Sequence, residues 1–389
     1  MIGTNSKTNH NLEAFMNVYS QPGLPLNVLS YKAMLSKGVF LVIPGLLSPE
    51  AVADKPVEAA TIGRFLTWSE KTTVHSNSNG TSPGLESSIT SWFNAHAQTG
   101  PDVIIKEEPA AARLGYRTEI SSERSPAEVF RVDPVYQQMD INHATVADQS
   151  LLNLSAKDSA TLIADLNAQF ARDGLKFESE HPLRWYCLFD QPLAINGVSL
   201  SDATGRDASL CRPTGDDARH WRRLLAEIEM ILYSHPVNQQ REARGELPVN
   251  SLWIWGAGSM PERCERNGSV YTNNFYTRSY ADFCGIPVQD ITDFTVDDQP
   301  ALLVDDRLAT AAATADVELR ARVIDELANL VFAQLNQSRG VIKKRYPVSL
   351  WCGGDSLWHR SERIGIRHWL ANAWKPQTFE SFIEHRVDH

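Results

Sequence analysis

The chain has 389 residues, 42% hydrophobic and 22% charged, an ordinary globular composition that excludes disorder as the dominant state. No apolar run approaches the ~18 residues that a membrane-spanning helix needs. Thirty-seven Lys and Arg against 47 Asp and Glu leave a net charge of −10, which argues against a broad nucleic-acid surface.

At about 150 residues per domain the length fits two or three lobes. The N-terminal stretch MIGTNSKTNHNLEAF lacks a basic start followed by an apolar core, so no secretory leader is expected and the expected location is cytoplasmic. Cys187, Cys211, Cys264, Cys284 and Cys352 are odd in number and form no CxxC pair. They read as free thiols, not as a disulfide framework or a zinc site.

Residues 1–36 have no clear period and read as a lead-in to a domain expected over 37–375, with a tail at 376–389. Val39-Phe40-Leu41-Val42-Ile43, stopped by Pro44-Gly45, has the pattern of a strand buried on both faces. Residues 71–84 form a polar loop, and the irregular stretch 60–150 is the expected place for a peripheral lobe. Ser155 with Asp158 three residues on predicts a helix start, Leu162, Ile163, Leu166 and Phe170 its buried stripe, and Gly174 its stop. The aromatic run from Arg184 to Phe189 predicts a strand.

Thr214-Gly215-Asp216-Asp217 is expected to cap a second helix with Trp221, Leu224, Leu225, Ile228 and Ile231 inside. His235-Pro236 ends it, because a residue before proline avoids the helical region. A loop is expected next, then strands at 251–255 and 301–304. A long helix from about Asp316 and a strand at 347–351 complete the pattern. Short buried strands alternating with amphipathic helices predict an α/β fold with a largely parallel sheet flanked by helices.

In such a sheet, ligands gather beyond the carboxyl ends of strands. Four ends are readable: Pro44-Gly45-Leu46, Gly256-Ala257-Gly258, Asp305-Asp306, and Gly353-Gly354-Asp355 with His359 beyond it. Glycines at 256 and 258 would let backbone approach an anion, although neither GxGxxG nor GxxxxGK[ST] is present. His235, Asn238 and Arg241, with Arg244 near, are the residue types that hold a phosphate or carboxylate by charge-assisted hydrogen bonds. Asp355 and His359 would share a face if the segment were helical, and Asp305 and Asp306 could join them around a metal. No HxH or HExxH motif occurs.

The block His235-Pro236-Val237-Asn238-Gln239-Gln240-Arg241, Gly245, Pro248, Asn250 and Trp253-Ile254-Trp255-Gly256-Ala257-Gly258 resembles the archaeal-type cofactor-independent phosphoglycerate mutases. It is similar above all to a bacterial offshoot, the RpfE-type regulatory proteins, with their tryptophan-rich W-x-W-G-x-G version. Ile43-Pro44-Gly45-Leu46-Leu47, Arg131-Val132-Asp133-Pro134-Val135, Asp140, His143 and the 155–186 segment extend the likeness over roughly 38–355. The resemblance implies an alkaline-phosphatase-like core, two divalent metals (manganese or zinc) and a serine nucleophile that moves phosphate between hydroxyls. In that chemistry the metals activate the nucleophile and neutralise phosphoryl oxygens.

The chain departs from the family where the ligands belong. The Asp-Gly metal turn is Ile43-Pro44-Gly45, the Asp-x-x-x-His element is Ala311-Ala312-Ala313-Thr314-Ala315-Asp316, and the late Asp-His pair is Asp355-Ser356. Thr61, Thr67 and Ser69 are no convincing nucleophile. The expectation is therefore a regulatory protein without catalytic or metal-binding residues and without a cofactor. It would bind a phosphorylated or carboxylated small molecule, or a protein partner, through His235, Asn238, Arg241, Gly256 and Gly258. The alternatives are a manganese- or zinc-dependent phosphomutase or phosphohydrolase rebuilt on Asp305, Asp306, Asp355 and His359, and a scaffold that docks partners through exposed tryptophans. Neither nucleic acid nor a membrane is an expected partner.

Overall fold

A computed structural model describes residues 38–48, 60–67, 69–73, 84–94, 110–120, 127–140, 143–189, 191–261, 263, 268–297, 299–336, 347–353 and 356–360. The expected lead-in and tail, Cys264 and Asp355 lie outside the described residues. In chain order the strands are β1 (Val39–Val42), β2 (Glu70–Thr73), β3 (Glu128–Val135), β4 (Gln137–Met139), β5 (Ala144–Val146), β6 (Leu175–His181) and β7 (Arg184–Phe189). They continue with β8 (Ser251–Trp255), β9 (Ser269–Thr272), β10 (Val288–Gln289), β11 (Ala301–Val304), β12 (Val348–Trp351) and β13 (Ser356–Arg360).

The apolar run at 39–42 sits where its pattern requires. Strand β1 pairs in parallel with β11 on one side and β12 on the other, with Val39 opposite Ala301 and Val348. Alternate residues enter different cores: Val39 and Leu41 pack on one face, Phe40 and Val42 on the other. Ala301 and Leu303 against Leu302 and Val304 repeat the split along β11. Each strand therefore reads as continuously apolar, because helices cover both faces. The full order is β10-β9-β11-β1-β12-β13-β2, largely parallel, with β13 antiparallel to both β12 and β2.

One face is covered by the helix Ala60–Thr67, through Ile62, Phe65 and Leu66, and by Val317–Leu327, through Val323, Ile324 and Leu327. The other face takes Leu85–Asn94, through Ile89, Trp92 and Phe93, and Phe275–Cys284, through Tyr276 and Tyr280. A buried aromatic of this kind contributes roughly 1.5–3 kcal/mol relative to exposure.

A second sheet, β6-β7-β3-β8, is antiparallel throughout. Its outer face packs on the helices Ala156–Phe170 and Ala218–Ser234. Its inner face meets the helix Ala111–Glu119, which touches both sheets: Leu114 packs into the core of the first, and Tyr116 packs with Tyr186 of the second. Gly115 makes that double contact fit, since a Cβ there would lie 2.6 Å from the Tyr186 hydroxyl and 3.1 Å from the Phe275 ring.

Several local expectations hold. Ser155 accepts from the Asp158 amide at 3.0 Å, and Gly174 closes that helical segment at φ 73°. Three differ. Strand β8 belongs to the antiparallel sheet, because its partner is β3, with Trp253 opposite Asp133. Asp217 makes no side-chain cap to the following helix and instead accepts from the Ala194 amide at 2.8 Å. His235-Pro236 opens a new helix, Pro236–Ala243, where a loop was expected. Proline fits the first turn, and His235 Nδ1 accepts the Val237 amide at 3.1 Å.

Candidate functional site at the carboxyl edge of the parallel sheet

Strands β1, β9 and β11 end side by side, and the polar residues beyond them converge. Asp305 follows β11, its amide bonded to the Val42 carbonyl at 3.0 Å, and its side chain is fully buried. Its carboxylate is occupied by Arg307. Oδ1 accepts from the Arg307 amide (3.2 Å) and Nε (2.9 Å), and Oδ2 accepts from Nη2 (2.7 Å). The remaining nitrogen, Nη1, donates to Glu326 at 2.7 Å. A planar guanidinium matches a carboxylate in two-point fashion, and such charge-assisted bonds are among the stronger in proteins. The Asp305 bonds, then the Glu326 bond, hold the Arg307 pKa above its ordinary value.

Asp306 points to the next strand, where its Oδ2 accepts from Asn274 Nδ2 at 2.8 Å. Burial raises the Asp306 pKa, the Asn274 bond opposes the rise, and the neighbouring Asp305 adds to it. Asn274 is fixed in turn: its Oδ1 caps the helix Phe275–Cys284 by accepting the Thr277 amide at 2.9 Å, and Thr272 Oγ accepts its own amide at 2.9 Å. Arg278, exposed on that helix, donates from Nη2 to the Thr272 carbonyl at 3.1 Å. The edge thus combines two carboxylates already bonded to protein donors, an amide, and a solvent-facing guanidinium. Among the described residues no group of three or more His, Cys, Asp or Glu is placed to hold a metal ion.

The other expected ligand residues are arranged differently. His359 lies on strand β13, not on a helix, and its Nδ1 is 3.1 Å from Ser349 Oγ on the neighbouring β12. The hydroxyls of Thr61, Thr67 and Ser69 each donate to a main-chain carbonyl, those of Ala328, Gly63 and Phe65. These bonds tie helix ends together.

His235, Asn238 and Arg241 are brought together, but they face inward. Asn238 Nδ2 donates to the Leu232 and Val249 carbonyls at 2.7 Å each, and its Oδ1 accepts the Val249 amide at 2.9 Å. Arg241 is fully buried; it donates from Nε to the Leu247 carbonyl at 3.0 Å and from Nη2 to the Leu152 carbonyl, while Nη1 pairs with Glu246 at 3.3 Å. His235 Nε2 lies 2.9 Å from Asp165. The group staples the helices Ala156–Phe170 and Pro236–Ala243 to the loop before β8.

Gly256 and Gly258 sit beyond the far end of β8, a five-residue strand about 16 Å long whose other end adjoins that group. Their carbonyls accept from the Ala112 amide (2.9 Å) and from Arg113 Nε (2.9 Å). The close approach anticipated for an anion is made by the start of the helix Ala111–Glu119. A Cβ at Gly256 would meet Ala112 N at 3.1 Å and Ala111 Cβ at 3.2 Å.

Sequence reasoning missed Arg307, Glu326, Asn274 and Arg278. The only signal for the first was a cation directly after an Asp-Asp pair. Arg131 and Asp133 had been noted only as part of a resemblance. They form a buried pair on β3, with Arg131 Nε donating to Asp133 Oδ1 at 3.0 Å and Trp255 Nε1 donating to Oδ2 at 2.7 Å. The guanidinium sits 5.3 Å from the Tyr186 ring and 5.4 Å from the Trp255 ring.

Fold and edge define an α/β protein with a largely parallel sheet and a polar carboxyl edge. No family model matches the chain. It is similar to proteins named 2,3-bisphosphoglycerate-independent phosphoglycerate mutase. The Methanosarcina barkeri relative is 26% identical over 159 residues, 39% of this chain and 40% of that protein. The Methanosarcina mazei relative is 22% identical over 228 residues, 56% and 55% of the two chains. A Methanothermobacter thermautotrophicus relative reaches 38% over 61 residues, 15% of each. The chain thus matches only about half, or less, of the length of these relatives.

Among solved structures, the cofactor-independent phosphoglycerate mutase of Thermoplasma acidophilum matches 85% of this chain and 91% of its own, with a TM-score of 0.33 and 15% identity. A Pyrococcus horikoshii protein matches with a TM-score of 0.42 and 11% identity, over 86% and 92% of the two chains. Among the described residues no helix is long and apolar enough to cross a membrane.

Proposed function

We propose that this chain is a phosphoglycerate-mutase-like protein, built on an alkaline-phosphatase-like core, that binds a phosphorylated or carboxylated small molecule without transferring phosphate. The observation that carries this reading is the Arg307 guanidinium bonded to both oxygens of Asp305 and to Glu326. A divalent cation would have to displace a pre-organised organic cation from those oxygens and then find several more donors. The anion is taken by Arg278, exposed beside Asn274, where the guanidinium has donors turned to solvent. A regulatory role of the RpfE type and a cytoplasmic location accompany this reading, and the role rests on the sequence resemblance alone.

The test combines metal analysis of the purified chain, a phosphoglycerate interconversion assay with manganese or zinc, and thermal shift with 3-phosphoglycerate. The expected result is no stoichiometric metal, no turnover, and a shift equivalent to about 2.7 kcal/mol when the ligand is at ~100 times its dissociation constant. Arg278→Ala is expected to remove the shift. Two tightly held equivalents of metal, or divalent-dependent conversion, would overturn the reading. So would a shift that survives Arg278→Ala.

A further inference from the structure

The helix Ala218–Ser234 buries Trp221, Leu224, Ile228 and Leu232 against the antiparallel sheet. Its opposite face carries Arg219, Arg222, Arg223, Ala226, Met230 and Tyr233. At 100° per residue these six fall within an arc of about 100°, in a stripe of about 21 Å. All six are exposed, Met230 at 66% and Tyr233 at 87%.

The stripe is incomplete in an isolated chain. None of the three arginines has a carboxylate within ion-pair distance among the described residues. Arg222 donates to the Pro213 carbonyl at 3.2 Å and Arg223 approaches His220 at 3.5 Å. The first turn holds no acidic residue, so the arginines crowd the end where the helix dipole is also positive. Two large apolar side chains lie open at the other end.

The stripe is also complementary to itself. Arg219 and Tyr233 are each seven residues from Ala226, and Arg222 and Met230 are each four. Two copies crossing antiparallel at Ala226, the small residue that lets helices approach, bring Arg219 and Arg222 of one copy beside Tyr233 of the other. A guanidinium over a tyrosine face is favourable, and an arginine stem can cover methionine while its head stays wet. Glu227, exposed and on the same flank as Arg223, comes within about 3 Å along the axis of its counterpart's Arg223. A two-fold axis makes every one of these contacts twice. An acidic partner would neutralise the arginines but leave Met230 and Tyr233 uncovered.

We propose that this face is a symmetric dimer interface, with a second copy of the chain as its occupant. One helix face is smaller than the roughly 800 Å² per partner of a standard interface, and each copy carries −10, so the dimer is expected to form at about 10–100 µM. Sedimentation velocity on the full chain from about 1 to about 100 µM tests this. The expected result is a concentration-dependent dimer that Arg223→Glu or Glu227→Arg weakens at least about tenfold, and that the two together restore. Ala226→Cys is expected to cross-link into a dimer under mild oxidation, faster than the parent chain. All these positions are on the surface, where substitutions away from packing and caps usually change stability by less than about 0.5 kcal/mol. A chain that stays monomeric at every concentration would overturn the proposal. So would a dimer indifferent to the charge swaps, or Ala226→Cys cross-linking no faster than the parent.

Discussion

Replacing Glu86 with glutamine should remove a pH dependence of stability that the structure writes into one buried carboxyl. Glu86 stands in the first turn of the helix Leu85–Asn94, buried against the short helix Leu200–Ala203. Burial, and then the charge of Asp202, push its pKa from 4.5 up to about 7, while Ser201 and Ser199 pull the other way. Ser201 Oγ donates to both Glu86 oxygens at 2.9 and 3.0 Å. Asp202 is itself raised by burial, with Ser199 and Arg206 opposing. The folded chain therefore keeps a proton on Glu86 between pH 4.5 and about 7 that the unfolded chain releases. Where the native state binds more protons, stability falls as pH rises. The contribution is fully present below pH 4.5 and is lost as pH passes through about 7. At about 1.4 kcal/mol per pKa unit, the rise from 4.5 to about 7 corresponds to about 3 kcal/mol. Urea unfolding followed by tryptophan fluorescence across that interval should show a falling free energy in the parent. In Glu86→Gln the slope should be shallower by about one proton. Equal slopes in the two chains would refute the reasoning.

Arg241→Ala should destabilise the fold by roughly 2–4 kcal/mol, because it takes a buried donor from the Leu152 and Leu247 carbonyls and leaves Asp158 and Glu246 with Arg244 alone of their two guanidinium partners. A urea midpoint measures this, and any shift caused by 3-phosphoglycerate should survive, since Arg241 faces inward. Gly256→Val should cost roughly 1–3 kcal/mol through its φ of +72° and its contact with Ala111 and Ala112, again read from a urea midpoint. An unchanged midpoint in either variant would remove that residue from its structural role.

The sequence makes some elements legible because the cause is local. A hydroxyl at Ser155 three residues before Asp158, a proline at 236 and apolar runs at 39–42 and 301–304 act within one or two turns of chain. The antiparallel sheet was hidden because its causes are distant. Ser251–Trp255 is apolar on both faces, and only pairing with β3, more than 110 residues away, reveals its direction. Strand β3 was itself obscured, since Arg131, Asp133 and Pro134 interrupt its apolar pattern and become tolerable only when the ion pair and the Trp255 bond form. The inward orientation of the candidate site residues was hidden for a related reason. His235, Asn238 and Arg241 are the residue types of an anion site, yet the same donors serve equally well for main-chain carbonyls, and a sequence does not say which way they point. The seven tryptophans among the described residues are all buried, so none of these seven offers a docking surface.

The strand edge illustrates what changes when a chain supplies its own cation. A metal site needs deprotonated ligands and answers to pH and to chelators. A guanidinium stays charged at any pH a protein survives, and it arrives covalently attached. Arg307 bridges Asp305 beyond β11 and Glu326 on the helix Val317–Leu327, so both carboxylates are bonded to a cation from within the chain. If no metal binds at this edge, a chelator should leave the melting temperature where it was. The cost is flexibility of chemistry, because a guanidinium cannot donate a bound hydroxide or polarise a phosphoryl oxygen as a dication does.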